Sequence, residues 1–439
     1  MESRPPESRR QFLRHTAGLA TALAAGLLPS RSRADSAFSH ASAAFEVSDR
    51  GALVWVRGTG AGQHVSLAVS ASSAPEKVLS LGPAALTQAH DLIHVFDVTG
   101  LEPDTEYLAR PALAPVGTNA EGASCRFHTM PTSPRAMSFV VSADTLADRK
   151  PFRLFDAMLE RKPEFFVHLG DTIYADRPKQ ALIAQTLPQY RGKHAEVRAD
   201  PHMQRFMASV PTFAIWDDHE VADNFDREHP LIDVGRQAFR EWWPVRTDDV
   251  RRLHRRFSWG PLADFFMLDT RQYRSSWRMS ADDPAKTMLG AAQKDWLLQA
   301  LRASSAPFKI LLSPSPFNGS TALDSWAGFK AERAQIDRYV AEQKLQRVLV
   351  LSGDWHMAID LSRQGTSIDE MVVGPIAAWP QFEMNPRNRS VVARSRRPHV
   401  GDAYNFGHVR IEPTGGGARL TIDVVDEKGD VRFSKVLES

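Results

Sequence analysis

Three stretches of the chain run from apolar residues straight into residues that bind cations. Phe165-Phe166-Val167-His168-Leu169 leads into Gly170-Asp171-Thr172-Ile173-Tyr174-Ala175-Asp176. Phe213-Ala214-Ile215-Trp216 leads into Asp217-Asp218-His219-Glu220, and Val348-Leu349-Val350-Leu351-Ser352 into Gly353-Asp354-Trp355-His356. Carboxylate oxygens and imidazole nitrogens are the natural ligands of hard or borderline divalent and trivalent cations. Two such cations close together can clamp a phosphate and activate a water for in-line attack. That chemistry needs one carboxylate able to bridge both ions and further ligands from separate strand ends. A histidine nearby can protonate or steady the leaving group.

The elements that must position these residues follow from the same pattern. Each apolar run is short enough to be a buried strand. A glycine after the run lets the chain turn sharply. A carboxylate just beyond lies at the C-terminal edge of a sheet, where open α/β folds place their ligands. Beyond the linker Pro131-Thr132-Ser133-Pro134, strands alternate with helices. Residues 137–141 read as the first strand and 151–161 as a helix with Phe152, Phe155, Met158 and Leu159 on one face. Further helices are expected at 235–243, 291–303 and 327–342, a hairpin over 256–269 turning on Gly-Pro, and a strand at 309–315. Strands at 357–361, 370–373, 406–411 and 420–425 are expected to be antiparallel. The polar stretch 178–206 reads as a largely helical insertion that caps the site. The basic, Pro-containing stretch 387–399 reads as an exposed loop.

Ahead of the linker, residues 41–130 read as all-β, with short strands at 52–57, 65–69, 92–98 and 125–129. The turn from Thr99 to Tyr107 resembles the corner of fibronectin type III sandwiches, where a tyrosine hydroxyl ties back to backbone. Cys125 and His128 read as packing and surface residues rather than ligands. His168, inside an apolar strand, reads as a core residue.

Length and composition bound the rest. The chain has 439 residues, which suggests about two domains, and 43% hydrophobic residues, which suits a packed globular protein. A net charge of +2 gives no pointer to a nucleic-acid partner, and no nucleic-acid-binding motif stands out. The single cysteine excludes an intrachain disulfide. Residues 1–34 read as a signal peptide. Ser8-Arg9-Arg10-Gln11-Phe12-Leu13-Arg14 precedes the apolar run 17–28, and Ser32-Arg33-Ala34 supplies a small-x-small cleavage site. The paired arginines before Phe-Leu resemble the twin-arginine type, which carries folded proteins. The expected mature protein is exported by the twin-arginine machinery to the periplasm or beyond, and keeps no membrane span.

At this point the motifs carry a resemblance. Gly170-Asp171-Thr172-Ile173-Tyr174 is similar to the Gly-Asp-x-x-Tyr motif of purple acid phosphatases and related metallophosphoesterases. Asp217-Asp218-His219-Glu220 resembles Gly-Asn-His-Glu, with Asp218 in place of the Asn. Gly353-Asp354-Trp355-His356 resembles Gly-His-x-His, with Asp354 in place of the first His. With Asn405-Phe406-Gly407 and the N-terminal β region, the chain resembles the alkaline phosphatase D family over nearly its whole length.

The resemblance implies a four-layer α/β/β/α metallophosphoesterase domain over 137–439, preceded by a fibronectin III-like sandwich over 41–130. It implies that Asp171 bridges two metals, that Tyr174 and His356 bind Fe3+, and that Asp218 and Asp354 bind a divalent ion such as Ca2+. Mn2+, Mg2+ and Zn2+ are alternatives. Asp171 and His219 are the expected catalytic residues, with His219 facing the phosphate as acid or oxyanion stabiliser. The implied activity is hydrolysis of phosphomonoesters or phosphodiesters. Alternatives are a diesterase for phospholipid or teichoic-acid-like polymer, and a non-catalytic binding protein with a structural metal site. The family's first strand usually ends in Ser-Cys, with the Cys on iron. Here it reads Ser142-Ala143-Asp144, so Asp144 is the expected substitute ligand. If no oxygen replaces the thiolate, the metal pair differs. Asp217 and Glu220 read as supporting or capping groups. Asp269 and Arg271 either line the pocket or pair structurally.

Overall fold

The structure, a computed structural model, describes residues 38–114, 120–121, 124–177, 183–319, 322–362 and 366–439. The expected signal peptide lies outside the described residues.

Alternation along one strand sets the layers. Phe165 and Phe166 are successive residues of Phe165–His168, so their side chains leave opposite faces of the sheet. The Phe165 ring meets Phe139 at 4.8 Å, and Trp259 and Phe265 of a second sheet at 4.4 and 5.5 Å. The Phe166 ring faces the other way, onto Phe155 and Phe206 of the helices Leu154–Glu160 and Pro201–Met207. Phe213 stacks on Phe257 at 4.0 Å across the same gap between sheets. Aromatic rings therefore fill the space between two sheets, and helices cover an outer face.

Among the described residues, the first of these sheets has nine strands. Its order runs Val431–Glu438, Gly417–Asp426, Asn405–Thr414, Met137–Ser142, Phe165–His168, Thr212–Ala214, Ala43–Phe45, Gly51–Arg57, Ile93–Thr99. Its centre is parallel and in step: Ser142 pairs with His168, and His168 with Ala214. The second has seven strands, with a parallel run through Ala263–Met267, Phe308–Ser313, Val348–Ser352 and Asp369–Val372. Ser352 pairs with both Ser313 and Val372. Parallel strands that end level deliver their following loops to one edge. The helices Gly290–Ala303 and Lys330–Glu342 bury Leu297, Leu301, Ile336 and Val340 against Phe266, Leu311 and Val350 of this sheet. Each such side chain contributes roughly 1.5–3 kcal/mol, so Leu297→Ala would loosen the outer layer.

Among the described residues, a third sheet of five strands contains Ala74–Ala85, His64–Ala71, Glu106–Ala114, Ala120–Glu121 and Cys125–His128. Glu102 N donates to the Tyr107 hydroxyl at 2.9 Å. Residues from before the linker also enter the nine-stranded sheet, through the parallel contact of Phe45 with Thr212.

Some elements differ from expectation. Asn388–Arg394 is a helix, not a loop, because its inward residue Val392 packs on the small cluster of Met357, Ile359, Leu361 and Val372. The strands at 358–360 and 369–372 are antiparallel to one another, but the latter is parallel to Val348–Ser352. Two strands carried no readable pattern. Ala74–Ala85 is almost wholly exposed, and Val431–Glu438 is an edge strand whose half-buried face alternates Phe433, Lys435 and Leu437 while Val431 and Val436 are exposed.

Candidate metal centre

The strand ends bend where L-residues seldom go. Asp144, Asp171, Asp354 and His356 have φ of 65, 53, 67 and 53°. The left-handed region costs a non-glycine residue energy that surrounding structure must offset, and such residues cluster at functional sites. Here the bend turns each side chain from its strand toward a common point. Gly170, at φ 100°, permits a close approach: a Cβ there would meet Asp217 Cβ at 2.6 Å. Gly374, at φ 111°, leaves the slot that Asp144 occupies, since a Cβ there would lie 2.9 Å from Asp144 Oδ2. Asn405 holds that slot open. Its side-chain amide donates to Gly374 O at 2.5 Å and accepts from Gly374 N at 3.0 Å.

The result is a chain of overlapping ligand groups. Asp144, Asp171 and His356 offer ligand atoms within 4.8 Å of one another, and so do Asp171, Asp218 and His219. Asp217, Asp218 and Asp354 form a third such group. Asp171 belongs to the first two groups and Asp218 to the last two. The Tyr174 hydroxyl lies 3.1 Å from His356 Nε2, which places it at the first group.

The two histidines are held in different states. His356 Nδ1 lies 2.7 Å from Trp379 O. A carbonyl only accepts, so Nδ1 carries the hydrogen and Nε2 presents its lone pair to the site. Burial depresses the His356 pKa to about 4, which keeps the imidazole neutral. His219 Nδ1 lies 2.8 Å from Asp176 Oδ1, and its Nε2 lies 4.0 Å from Asp171 Oδ2. Burial opposes its charge, but the Asp218 and Asp176 carboxylates prevail and raise its pKa to about 9. His219 is therefore a proton-bearing group aimed at the ligand cluster.

The carboxylates need positive charge that the chain does not fully supply. Burial first, and then repulsion among neighbouring acids, push Asp144, Asp171 and Asp354 well above the ordinary carboxylate range. Burial and the same acids also raise Tyr174. Asp218 goes the other way: burial is outweighed by Arg271, His219 and the Asn224 amide, which hold it low. Both oxygens of Asp144, and Oδ1 of Asp218, are buried with no hydrogen-bond partner. Buried polar atoms are otherwise almost always paired. Unpartnered oxygens in a cluster of acids fit cations. The all-oxygen group of Asp217, Asp218 and Asp354 suits a hard divalent ion, and a phenol beside carboxylates and imidazole suits a trivalent one.

A family model described as PhoD-like phosphatase matches residues 139–422, which include every residue of this cluster. The chain belongs to the PhoD-like phosphatase family. Alkaline phosphatase D of Bacillus subtilis (strain 168) is 29% identical over 318 residues, 60% of this chain and 53% of that protein. The match thus spans about half the length of that relative. A solved structure of PhoD has a TM-score of 0.81 at 21% identity and covers 92% of this chain and 91% of that one. The two share a fold.

In this PhoD-like chain the residues expected as ligands, Asp144, Asp171, Tyr174, Asp218, Asp354 and His356, stand together with His219 beyond strand ends of both large sheets. Glu220 is no part of the ligand groups. It accepts from Asp171 N, Thr172 N, the Thr172 hydroxyl and Asp217 N, and so fastens two strand ends together. Arg271 is wholly buried and grips Asp217 through Nε and Nη2, with Nη2 also 3.6 Å from Asp218 Oδ1. Asp269 instead accepts from Trp216 Nε1 and the amides of Arg271 and Gln272. His168 is buried beside Thr145, at 2.9 Å, and burial lowers it to about 3. Cys125 is buried and His128 pairs with Asp104. Sequence reasoning assigned no role to Asp176, Asn224, Gly374 or Trp379. Only Asp176 carried a signal, a carboxylate two residues beyond the motif tyrosine.

Proposed function

We propose that this chain hydrolyses phosphate esters at a two-cation centre. The observation that carries the reading is Asp171: one carboxylate shared by two ligand groups, between unpartnered oxygens of Asp144 and Asp218. Asp144, Asp171, Tyr174 and His356 would hold one cation, Fe3+ by resemblance. Asp171, Asp218 and Asp354 would hold the other, Ca2+ or another divalent ion. Bound cations would supply the charge that neutralises the phosphate and makes a water acidic enough to attack. The chain's own residues do the rest. Asp171 sets the separation of the two positions. His219, protonated and oriented by Asp176, offers its Nε2 proton to the developing charge. Arg271 holds Asp218 ionised and opposes the burial that raises Asp217.

The substrate class is a phosphomonoester or phosphodiester, including phospholipid-like or teichoic-acid-like diesters. The chain is read as exported through a twin-arginine signal over 1–34, to the periplasm or beyond. No helix of the described residues is long and apolar enough to cross a membrane. The mature part is read as a fibronectin III-like sandwich over 41–130 and a four-layer α/β/β/α domain over 137–439. The Glu102–Tyr107 tie supports the first, and the aromatic packing between two sheets supports the second.

The test is turnover of p-nitrophenyl phosphate and its bis-ester by the full chain after metal analysis. Turnover that disappears in Asp171→Ala, with the melting transition retained, supports the reading. Absence of turnover with every metal tried overturns it in favour of a binding protein.

A further inference from the structure

Beside the ligand cluster stands a cation that, among the described residues, makes no ion pair. Arg177 directly follows Asp176, the residue that orients His219. Its guanidinium carbon lies 5.4 Å from the centroid of the Trp379 ring, and Trp379 O is the group that orients His356. The side chain is bracketed between the supports of both histidines. Its charge reaches both, and works against protonation of each. Arg177 is exposed, and among the described residues it makes no ion pair.

Its neighbours show that this is not forced by a shortage of acids. Arg149 lies over the same ring at 5.3 Å, but its Nη2 is 2.6 Å from Glu383 Oε1. Glu196 lines the small recess that Arg177 shares with Tyr174 and Lys193, and among the described residues no ion pair joins Glu196 to Arg177. Lys193 donates to Arg177 O at 3.2 Å, which holds the backbone in place. An aromatic face restrains a guanidinium without neutralising it. Its planar fork remains open to a carboxylate or phosphate, which it binds in two parallel hydrogen bonds.

We infer that Arg177, held on Trp379, is a second anion subsite for a phosphate or carboxylate on the alcohol portion of the substrate. This rests on the hydrolase reading, in which the cation centre takes the ester that is cut. The subsite selects phosphoesters that carry a further negative group and disfavours those that carry none.

The test is calorimetric binding of non-hydrolysable probes to the metal-loaded full chain. A ladder of α,ω-alkane bisphosphonates of increasing spacing is compared with the matching alkyl monophosphonates. At the best spacing the bisphosphonate should bind about 10- to 100-fold more tightly, the worth of a charge-assisted contact. Arg177→Gln should bring the two to within about threefold, and Arg177→Lys should keep part of the preference. Equal binding at every spacing, or a preference that survives Arg177→Gln, overturns the subsite. Turnover of p-nitrophenyl phosphate by the same preparations reports on the hydrolase reading separately, because the binding ratio decides the subsite whether or not turnover is seen.

Discussion

Asp176 and His219 meet at 2.8 Å, carboxylate oxygen to Nδ1, and the same carboxylate accepts from Asp223 N at 2.8 Å. The second bond stops the carboxylate from turning away, so the imidazole keeps one orientation with Nε2 toward Asp171. In Asp176→Asn the amide can still bond the ring but no longer favours its charge. The pKa of His219 should fall from about 9, and kcat on a poor leaving group should drop by about 10- to 100-fold. Cation content should stay at the wild-type level. An unchanged kcat with metal intact would remove His219 as the proton donor.

Arg271 is the second support, and it acts through charge. It is wholly buried against Asp217, within reach of Asp218. Breaking a buried pair leaves an uncompensated charge and costs roughly 3–5 kcal/mol. Arg271→Ala should therefore lower the melting temperature sharply, and Asp217→Asn in the same chain should restore part of it. The readout is calorimetry of the two single variants and the double variant. Equal additive losses would mean that the two side chains do not depend on one another.

Gly374 tests Asp144 without substituting that residue. A methyl at Gly374 would lie 2.9 Å from Asp144 Oδ2, on a backbone with φ of 111°. Gly374→Ala should displace Asp144 and empty the position it shares with His356. Metal analysis should show loss of one cation and retention of the other, with kcat down at least about tenfold. A full metal complement in Gly374→Ala would leave Asp144 with no ligand role.

These supports mark where reading the sequence stops. Asp171, Asp218, Asp354 and His356 were legible because each follows an apolar run, and parallel strands in step must bring such ends together. Tyr174 was legible by its spacing from Asp171. Asn405 and Gly374 were not, since their partnership joins residues far apart in the chain and depends on a backbone angle. Trp379 orients His356 through its carbonyl, which every residue type has, so no side-chain pattern announces that role. The same limit holds for the fold. Helices and strands with a buried stripe were readable, whereas Ala74–Ala85 buries too little to leave a period.

His194 gives a prediction about stability rather than turnover. It lies on the helix Leu187–Arg198, fully buried, with neither ring nitrogen bonded and its ring stacked 6.2 Å from Trp242. Burial, with the Arg198 charge behind it, depresses its pKa to about 3. In the unfolded chain it titrates near the ordinary value of about 6.5. Between those values the unfolded state holds a proton that the folded state refuses, so stability rises with pH across the window. On acidification the loss begins near pH 6.5 and runs at up to about 1.4 kcal/mol per pH unit until the folded pKa is reached. His194→Phe keeps a ring against Trp242 and removes the titration. Its melting temperature should fall less than that of the wild type between about pH 7 and about pH 5, while the acids of the metal centre affect both chains alike. Parallel curves from scanning calorimetry at a series of pH values would show that His194 takes up its proton in the folded protein as readily as in water.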